Sequence, residues 1–158
     1  ENARLAFVTS EGNVLTFPAA SVRVQGAGAS GMAGISMPSE ARAVFFGAVA
    51  GASDGGNQAM VVTLAGSSSA LPGTELGSVN ISPLSVFPDK GRATKGVRCH
   101  KLRASEDEIA LAWVGPGPVR GATAAGKPVT LPAPTDKRDA TGTPPSAPVA
   151  AFGGTIGS

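Results

Sequence analysis

The sequence predicts an all-β protein made of about three repeated, blade-like units. Three observations predict it. Short apolar runs rich in β-formers are divided by Gly, Pro, Ser and Asn, and no segment holds a helical apolar period for the length of a helix. Gly (22) and Pro (13) are frequent among 158 residues, which favours turns. Three short elements also recur in the same order three times.

The first element is Val8-Thr-Ser-Glu-Gly-Asn-Val-Leu-Thr-Phe-Pro18, matched by Val62-Thr-Leu-Ala-Gly-Ser-Ser-Ser-Ala-Leu-Pro72. Both read V-T-x-x-G-x-x-x-x-[FL]-P, and Thr123 to Pro132 repeats the pattern without the Val. Leu5–Thr9 and Ala59–Thr63 read as strands. Glu11-Gly12 and Ala65-Gly66 read as hairpin tips, where Gly turns the chain cheaply. Pro18, Pro72 and Pro132 fit strand ends, where a missing N–H breaks no ladder.

The second element is a turn: Gly26–Gly31, then Gly91–Gly96, then Lys137–Gly142. The third is an apolar strand: Ala43–Val49, Ile109–Val114 and Val149–Phe152. Asp54–Asn57 reads as a loop. These elements set one repeat domain with blades at 1–50, 51–114 and 115–154, and a frayed tail at 155–158. Closed propellers use four to eight blades. Three therefore predict an open arc or part of a larger ring, and a start directly at a strand favours a piece of a longer protein.

No apolar run reaches the ~20 residues of a membrane-spanning helix. The start, ENARLAFV, lacks a basic region followed by an apolar stretch, so it does not read as a signal peptide. The single cysteine, Cys99, excludes an intrachain disulfide framework and suits a reducing cytoplasm. The expected location is therefore cytoplasmic.

Net charge is only +2, but it is unevenly placed. The segment KGRATKGVRCHKLR, residues 90–103, holds six of the thirteen Lys and Arg residues and no acid. Local clustering decides phosphate binding more than total charge does. Glycines let a backbone approach phosphate, and Arg can bond two phosphate oxygens at once. The candidate DNA-binding residues are Lys90, Arg92, Lys95, Arg98, Lys101 and Arg103. Arg23, Lys137 and Arg138 occupy the related connections of the first and third repeats. If the blades are radial, these connections share one rim. The competing reading has Arg92 packed against a neighbouring blade and the lysines merely solvated. Solvation is also the default for Arg120 and Lys127.

Other chemistry finds little support. Cys99-His100 is a tempting metal or nucleophile pair, but a structural zinc site needs four ligands and His100 is the only histidine. No P-loop or G-x-S-x-G pattern is present. The expectation is no metal, no cofactor and no catalytic residue, with Cys99 buried and His100 at the surface. Strand alternation separates the two, placing Val97 and Cys99 opposite Arg98 and His100. Phe7, Phe17, Phe45, Phe46, Phe87, Phe152 and Trp113 read as core or blade-interface residues. Glu106-Asp107-Glu108 reads as a solvated turn. No recognition helix or zinc finger is visible, so binding is expected to be weakly sequence-specific and salt-dependent.

The order T-x-x-G, Pro, a basic GRATKGV and an apolar strand resembles the C-terminal domain of the DNA-cleaving subunit of type IIA topoisomerases, a family that comprises gyrase and topoisomerase IV. The resemblance is strongest at Leu5–Ile35 and Ile81–Val114, and thin beyond. It implies a β-pinwheel, a propeller-like arc that binds and bends double-stranded DNA on its rim. It also implies two protein partners, the rest of the DNA-cleaving subunit and the separate ATPase subunit, with no membrane. The parent would be an ATP-dependent isomerase that cuts DNA with a tyrosine. This chain has no Tyr, so the fragment is not itself an enzyme. Gyrase carries a box of the form Q-[KR]-R-G-G-[KR]-G. Gln25-Gly-Ala-Gly-Ala-Ser-Gly31 keeps its ends and loses its cations, which points to topoisomerase IV more than gyrase. The rival expectation from a different class is a propeller-like protein-interaction scaffold without DNA binding.

Overall fold

Each of three antiparallel sheets is a hairpin with a later strand laid against its first member. The structure, a computed structural model, describes residues 3–50, 58–71 and 73–154. The first sheet holds β1 (Arg4–Thr9), β2 (Asn13–Pro18), β3 (Ala43–Val49) and β6 (Val97–Arg98), in the order β3-β1-β2-β6. The second holds β4 (Ala59–Gly66), β5 (Ser78–Pro83) and β7 (Glu108–Pro116), ordered β5-β4-β7. The third holds β8 (Arg120–Ala122), β9 (Pro128–Val129) and β10 (Ala151–Gly153), ordered β10-β8-β9. Among the described residues the helical structure is limited to two three-residue turns, Ala19–Ser21 and Leu84–Val86. The expected loop at Asp54–Asn57, Pro72 and the expected frayed tail lie outside the described residues.

The T-x-x-G element works as a turn because threonine accepts twice. In the first hairpin the Thr9 carbonyl accepts the Gly12 N–H at 3.0 Å, and its hydroxyl accepts the Asn13 N–H at 3.3 Å. In the third, Thr123 does the same for Gly126 at 2.9 Å and Lys127 at 3.1 Å. Thr9 and Thr123 are therefore structural equivalents, as their sequences predict.

The second hairpin departs from the expectation. β4 runs through Ala65 and Gly66, so the strand does not turn there, and β5 begins only at Ser78. Arg4 faces Pro18 and Met60 faces Pro83, which makes Thr9 equivalent to Ala65 and Pro18 equivalent to Pro83. Bulges agree, falling at Val8/Thr9 and at Leu64/Ala65. The Val-Thr match at Thr63 is thus two residues out of register. A slip of two preserves the inward and outward alternation, so the pattern alone does not betray it. Pro18 and Pro83 each end a strand and start a three-residue turn. Pro132 lies beyond β9, which stops at Val129.

The sheets stack face to face. Ala6, Val8, Val14 and Val49 of the first sheet pack with Val61, Ala65, Ile109 and Val114 of the second. Met60, Val62, Leu64 and Ile81 pack on the opposite side with Val129 and Val149. β4 is therefore buried on both faces, its residues alternating between two cores. Of the aromatics, Phe17 and Phe87 are buried, whereas Phe46 is 60% exposed, contrary to expectation.

β6 belongs to the second sequence repeat but pairs with β2 of the first sheet, Val97 opposite Val14 and Arg98 opposite Asn13. Gly96 makes this possible. It has φ 79°, and a Cβ there would strike the Val14 carbonyl. Gly96→Val should detach this segment and cost roughly 1–3 kcal/mol, read by chemical denaturation and by faster amide exchange at residues 97–99. The surface ion pair of Arg42 and Glu108, 2.7 Å apart, ties the start of β3 to β7. Arg42→Ala should cost less than about 1 kcal/mol, because the arginine is mostly solvated.

Candidate nucleic-acid interface

The basic connections are held by the sheet of the preceding repeat. The Lys90 N–H donates to the Thr16 carbonyl at 3.2 Å, a turn closes between Thr94 and Gly91, and the Cys99 N–H donates to Gly12 at 2.7 Å. The third connection sits the same way on the second sheet. Thr135 donates to Ile81 at 2.8 Å, and Thr143 and Val79 exchange two backbone bonds of 2.8 and 2.9 Å. The expected equivalence of Gly91–Gly96 and Lys137–Gly142 is therefore met in space.

Successive connections also touch. Ala93 donates to Gly34 at 2.7 Å, Ser36 donates to Thr94 at 3.0 Å, and the Arg92 guanidinium donates to the Ala33 carbonyl at 2.7 Å. Further along, Lys101 donates to Ala140 at 3.1 Å and the Arg103 guanidinium donates to the Gly142 carbonyl. The three connections form one contiguous row across the repeats.

On that row, Arg23, Lys90, Lys95, Arg98, Lys101, Lys137 and Arg138 are exposed. None of these seven side chains has a hydrogen-bonding or ion-pair partner among the described residues. Arg92 is half-buried and occupied by Ala33, so its bond to the neighbouring repeat is structural. Arg103 is shared between Gly142 and Glu106, whose carboxylate lies 3.7 Å away. Charge is therefore densest at Lys90, Lys95, Arg98 and Lys101. The acid that precedes Lys90 in the chain, Asp89, is paired with Arg4. Lys137 and Arg138 are flanked by Asp136 and Asp139, so the third connection adds little net charge.

His100 is not at the surface. It is 1% exposed, and Glu106, expected in a solvated turn, is 8% exposed. The chain after β6 runs between the first two sheets, so both sides of it are covered and alternation does not predict solvent there. His100 Nδ1 lies 2.9 Å from Thr63 Oγ1, and Nε2 lies 3.2 Å from Ser78 Oγ. Ser78 donates its one hydroxyl proton to Glu106 Oε2 at 2.7 Å. Ser78 must then accept from His100, so the neutral ring carries its proton on Nε2 and accepts from Thr63 at Nδ1. The line Thr63, His100, Ser78, Glu106, Arg103, Gly142 links the second sheet to the third connection. Burial, and then the Arg103 charge, lower the His100 pKa from 6.5 to about 4.

Cys99 is fully buried, as expected, and burial pushes its thiol up to about 12, which keeps it protonated near neutral pH. Among the described residues no three His, Cys, Asp or Glu side chains come together as metal ligands. No helix there is long and apolar enough to cross a membrane.

Comparison with known proteins places this geometry. A family model described as DNA gyrase C-terminal domain, beta-propeller, matches residues 3–49 and 73–111. Among solved structures, the crystal structure of the C-terminal domain of a DNA topoisomerase IV superposes with a TM-score of 0.64 at 20% identity. The superposition covers 89% of this chain and 41% of that one, so this chain spans less than half of its relative's length. A search of curated protein sequences finds no match.

Proposed function

Because the chain belongs to the DNA gyrase C-terminal domain, beta-propeller family, we propose that it is a non-catalytic domain that binds and bends duplex DNA for the DNA-cleaving subunit of a bacterial type IIA topoisomerase. The observation that carries this reading is the contiguous row of connections with seven exposed, unpartnered cations among the described residues. A duplex laid along the row meets phosphate-binding groups from successive repeats, here taken as blades 1–50, 51–114 and 115–154. Lys90, Lys95, Arg98 and Lys101 supply the main contacts. Arg23, Lys137 and Arg138 extend them, while Arg92 and Arg103 hold the track in shape and face phosphate with what donor capacity remains. Contacts of this kind fix position without reading bases. Bending follows if the row is curved, since the duplex gains contacts that offset its elastic cost.

Strand cleavage would belong to the rest of the same polypeptide, and ATP hydrolysis to its partner protein, in the cytoplasm. The loss of every basic position from Gln25 to Gly31 supports a topoisomerase IV type over a gyrase type. The scaffold reading has one observation in its favour, the exposed Phe46 face, which adjoins the basic row.

The test is duplex binding across salt, with end-to-end energy transfer to read bending. Two duplexes of unrelated sequence should bind within about threefold of each other. Affinity should fall roughly 10³-fold between 50 and 200 mM salt if about six phosphates are neutralised. Absence of binding at low salt would move the function to the scaffold reading.

A further inference from the structure

An ion pair stands at the start of the densest part of the row. The Arg4 guanidinium donates to both carboxylate oxygens of Asp89, and to Thr16 Oγ1 at 3.3 Å. The Thr16 carbonyl in turn accepts the Lys90 N–H. One buried threonine of β2 therefore holds Arg4 with its side chain and the basic connection with its backbone. The Asp89 side chain is 54% exposed and directly precedes Lys90, so its carboxylate sits where the exposed cations begin.

The next repeat shows what this position needs for folding. Arg4 faces Pro18 and Ala6 faces Thr16, as Met60 faces Pro83 and Val62 faces Ile81, so Arg4 is equivalent to Met60 and Thr16 to Ile81. The Ile81 carbonyl accepts the Thr135 N–H as the Thr16 carbonyl accepts that of Lys90, which makes Pro134 the counterpart of Asp89. Met60 and Pro134 line one groove together with Ile81. The second sheet thus holds its connection with an uncharged pair where the first uses Arg4 and Asp89. Both charges are absent there together, and so is the cation, since Thr135 stands in the place of Lys90. Docking a connection on a sheet does not require the ion pair, and a partly exposed pair contributes little stability in water. The third connection gives the opposite comparison. Asp136 and Asp139 flank Lys137 and Arg138 and make no ion pair among the described residues. There the acids oppose the cations; beside Lys90 the acid is met by an arginine brought from β1.

We infer that Arg4 acts in duplex binding through Asp89: it cancels the carboxylate at the start of the row, so that a phosphate approaching Lys90 and Lys95 meets no free negative charge. Arg4 does this without itself contacting a phosphate. The inference rests on the reading of the row as a phosphate track. Removing Arg4 alone uncovers a negative charge beside the cations, whereas removing both partners restores the charge balance without restoring the pair.

The test is duplex affinity in a double-mutant cycle. Arg4→Met, the change toward the second repeat, should weaken binding roughly 5- to 10-fold at 0.1 M salt, about the effect of one phosphate contact. Asp89→Asn should strengthen it by a similar factor. The double variant should bind within about twofold of the wild type, although it has no ion pair. Arg120→Met, which removes a cation off the row, should lose less than about threefold. Equal weakening in Arg4→Met and in the double variant would mean that the pair only holds the connection in shape, and would overturn the inference. So would weaker binding by Asp89→Asn, or a loss in Arg120→Met as large as in Arg4→Met, which would assign the effect to net charge. The Lys95/Arg98/Lys101→Ala variant reads the track separately. If it loses affinity while Arg4→Met does not, this inference fails and the track stands; if the wild type does not bind duplex at low salt, both fail.

Discussion

Replacing Lys95, Arg98 and Lys101 together by Ala should weaken duplex binding by two to three orders of magnitude at 0.1 M salt. Each phosphate contact releases about 0.9 counterion, which at that concentration corresponds to roughly eightfold in affinity per contact. Three contacts therefore give about 500-fold. The three side chains are exposed and have no partner among the described residues, so their removal should leave stability within about 0.5 kcal/mol of the parent. Arg92 is unsuitable for this purpose, since its loss would also release the Ala33 carbonyl that joins the first and second connections. A control with Arg120 and Lys127 changed to Ala removes cations that lie off the row. If location governs binding, the control loses less than about tenfold; if net charge alone governs it, its loss approaches that of the row variant in proportion to charge.

The second large effect concerns stability. His100→Ala should lower the unfolding free energy by roughly 2–5 kcal/mol near pH 7.5, because it removes a buried ring and leaves Thr63 and Ser78 without it. The wild type should also lose stability as pH falls from about 6.5 to about 4. In that window the unfolded histidine binds a proton that the folded one refuses, so the unfolded state gains. The full interval is worth about 3 kcal/mol, and below about 4 this group contributes no further loss. His100→Gln can still accept from Thr63 and donate to Ser78, but it does not titrate. It should keep more stability than His100→Ala and flatten the difference between pH 6.5 and 4. Chemical denaturation at several pH values, wild type against His100→Gln, reads this directly. A wild-type profile parallel to that of the glutamine variant would mean that the histidine is solvated or already charged.

Local chemistry is legible in the sequence, and long-range pairing is not. The turns at Thr9 and Thr123 are readable because both acceptors sit on one threonine, three and four residues from their donors. The equivalence of the basic connections is readable from their glycines. The slip at Thr63 arises because a two-residue shift leaves every side chain on its proper face, and only the partner Pro83 fixes the register. β6 has two residues and owes its existence to β2, more than eighty positions earlier. No periodicity within Val97–Arg98 could announce that. The burial of His100 is hidden for the same reason: its partners Thr63, Ser78 and Glu106 meet only after the sheets stack. The cue that the sequence does hold is that a lone histidine beside a buried cysteine, within a segment ending in Arg103 and Glu106, has titratable partners within six residues. The family match ending at Leu111 agrees with a resemblance that thins beyond Val114.

If the row of connections is a phosphate track, the salt dependence of duplex affinity must differ between the wild type and the Lys95/Arg98/Lys101→Ala variant. With about six contacts the wild-type log–log slope should be near −5, and loss of three contacts should bring the variant to about −3. Equal slopes for the two proteins, with any affinity, would place the phosphate contacts elsewhere on the surface.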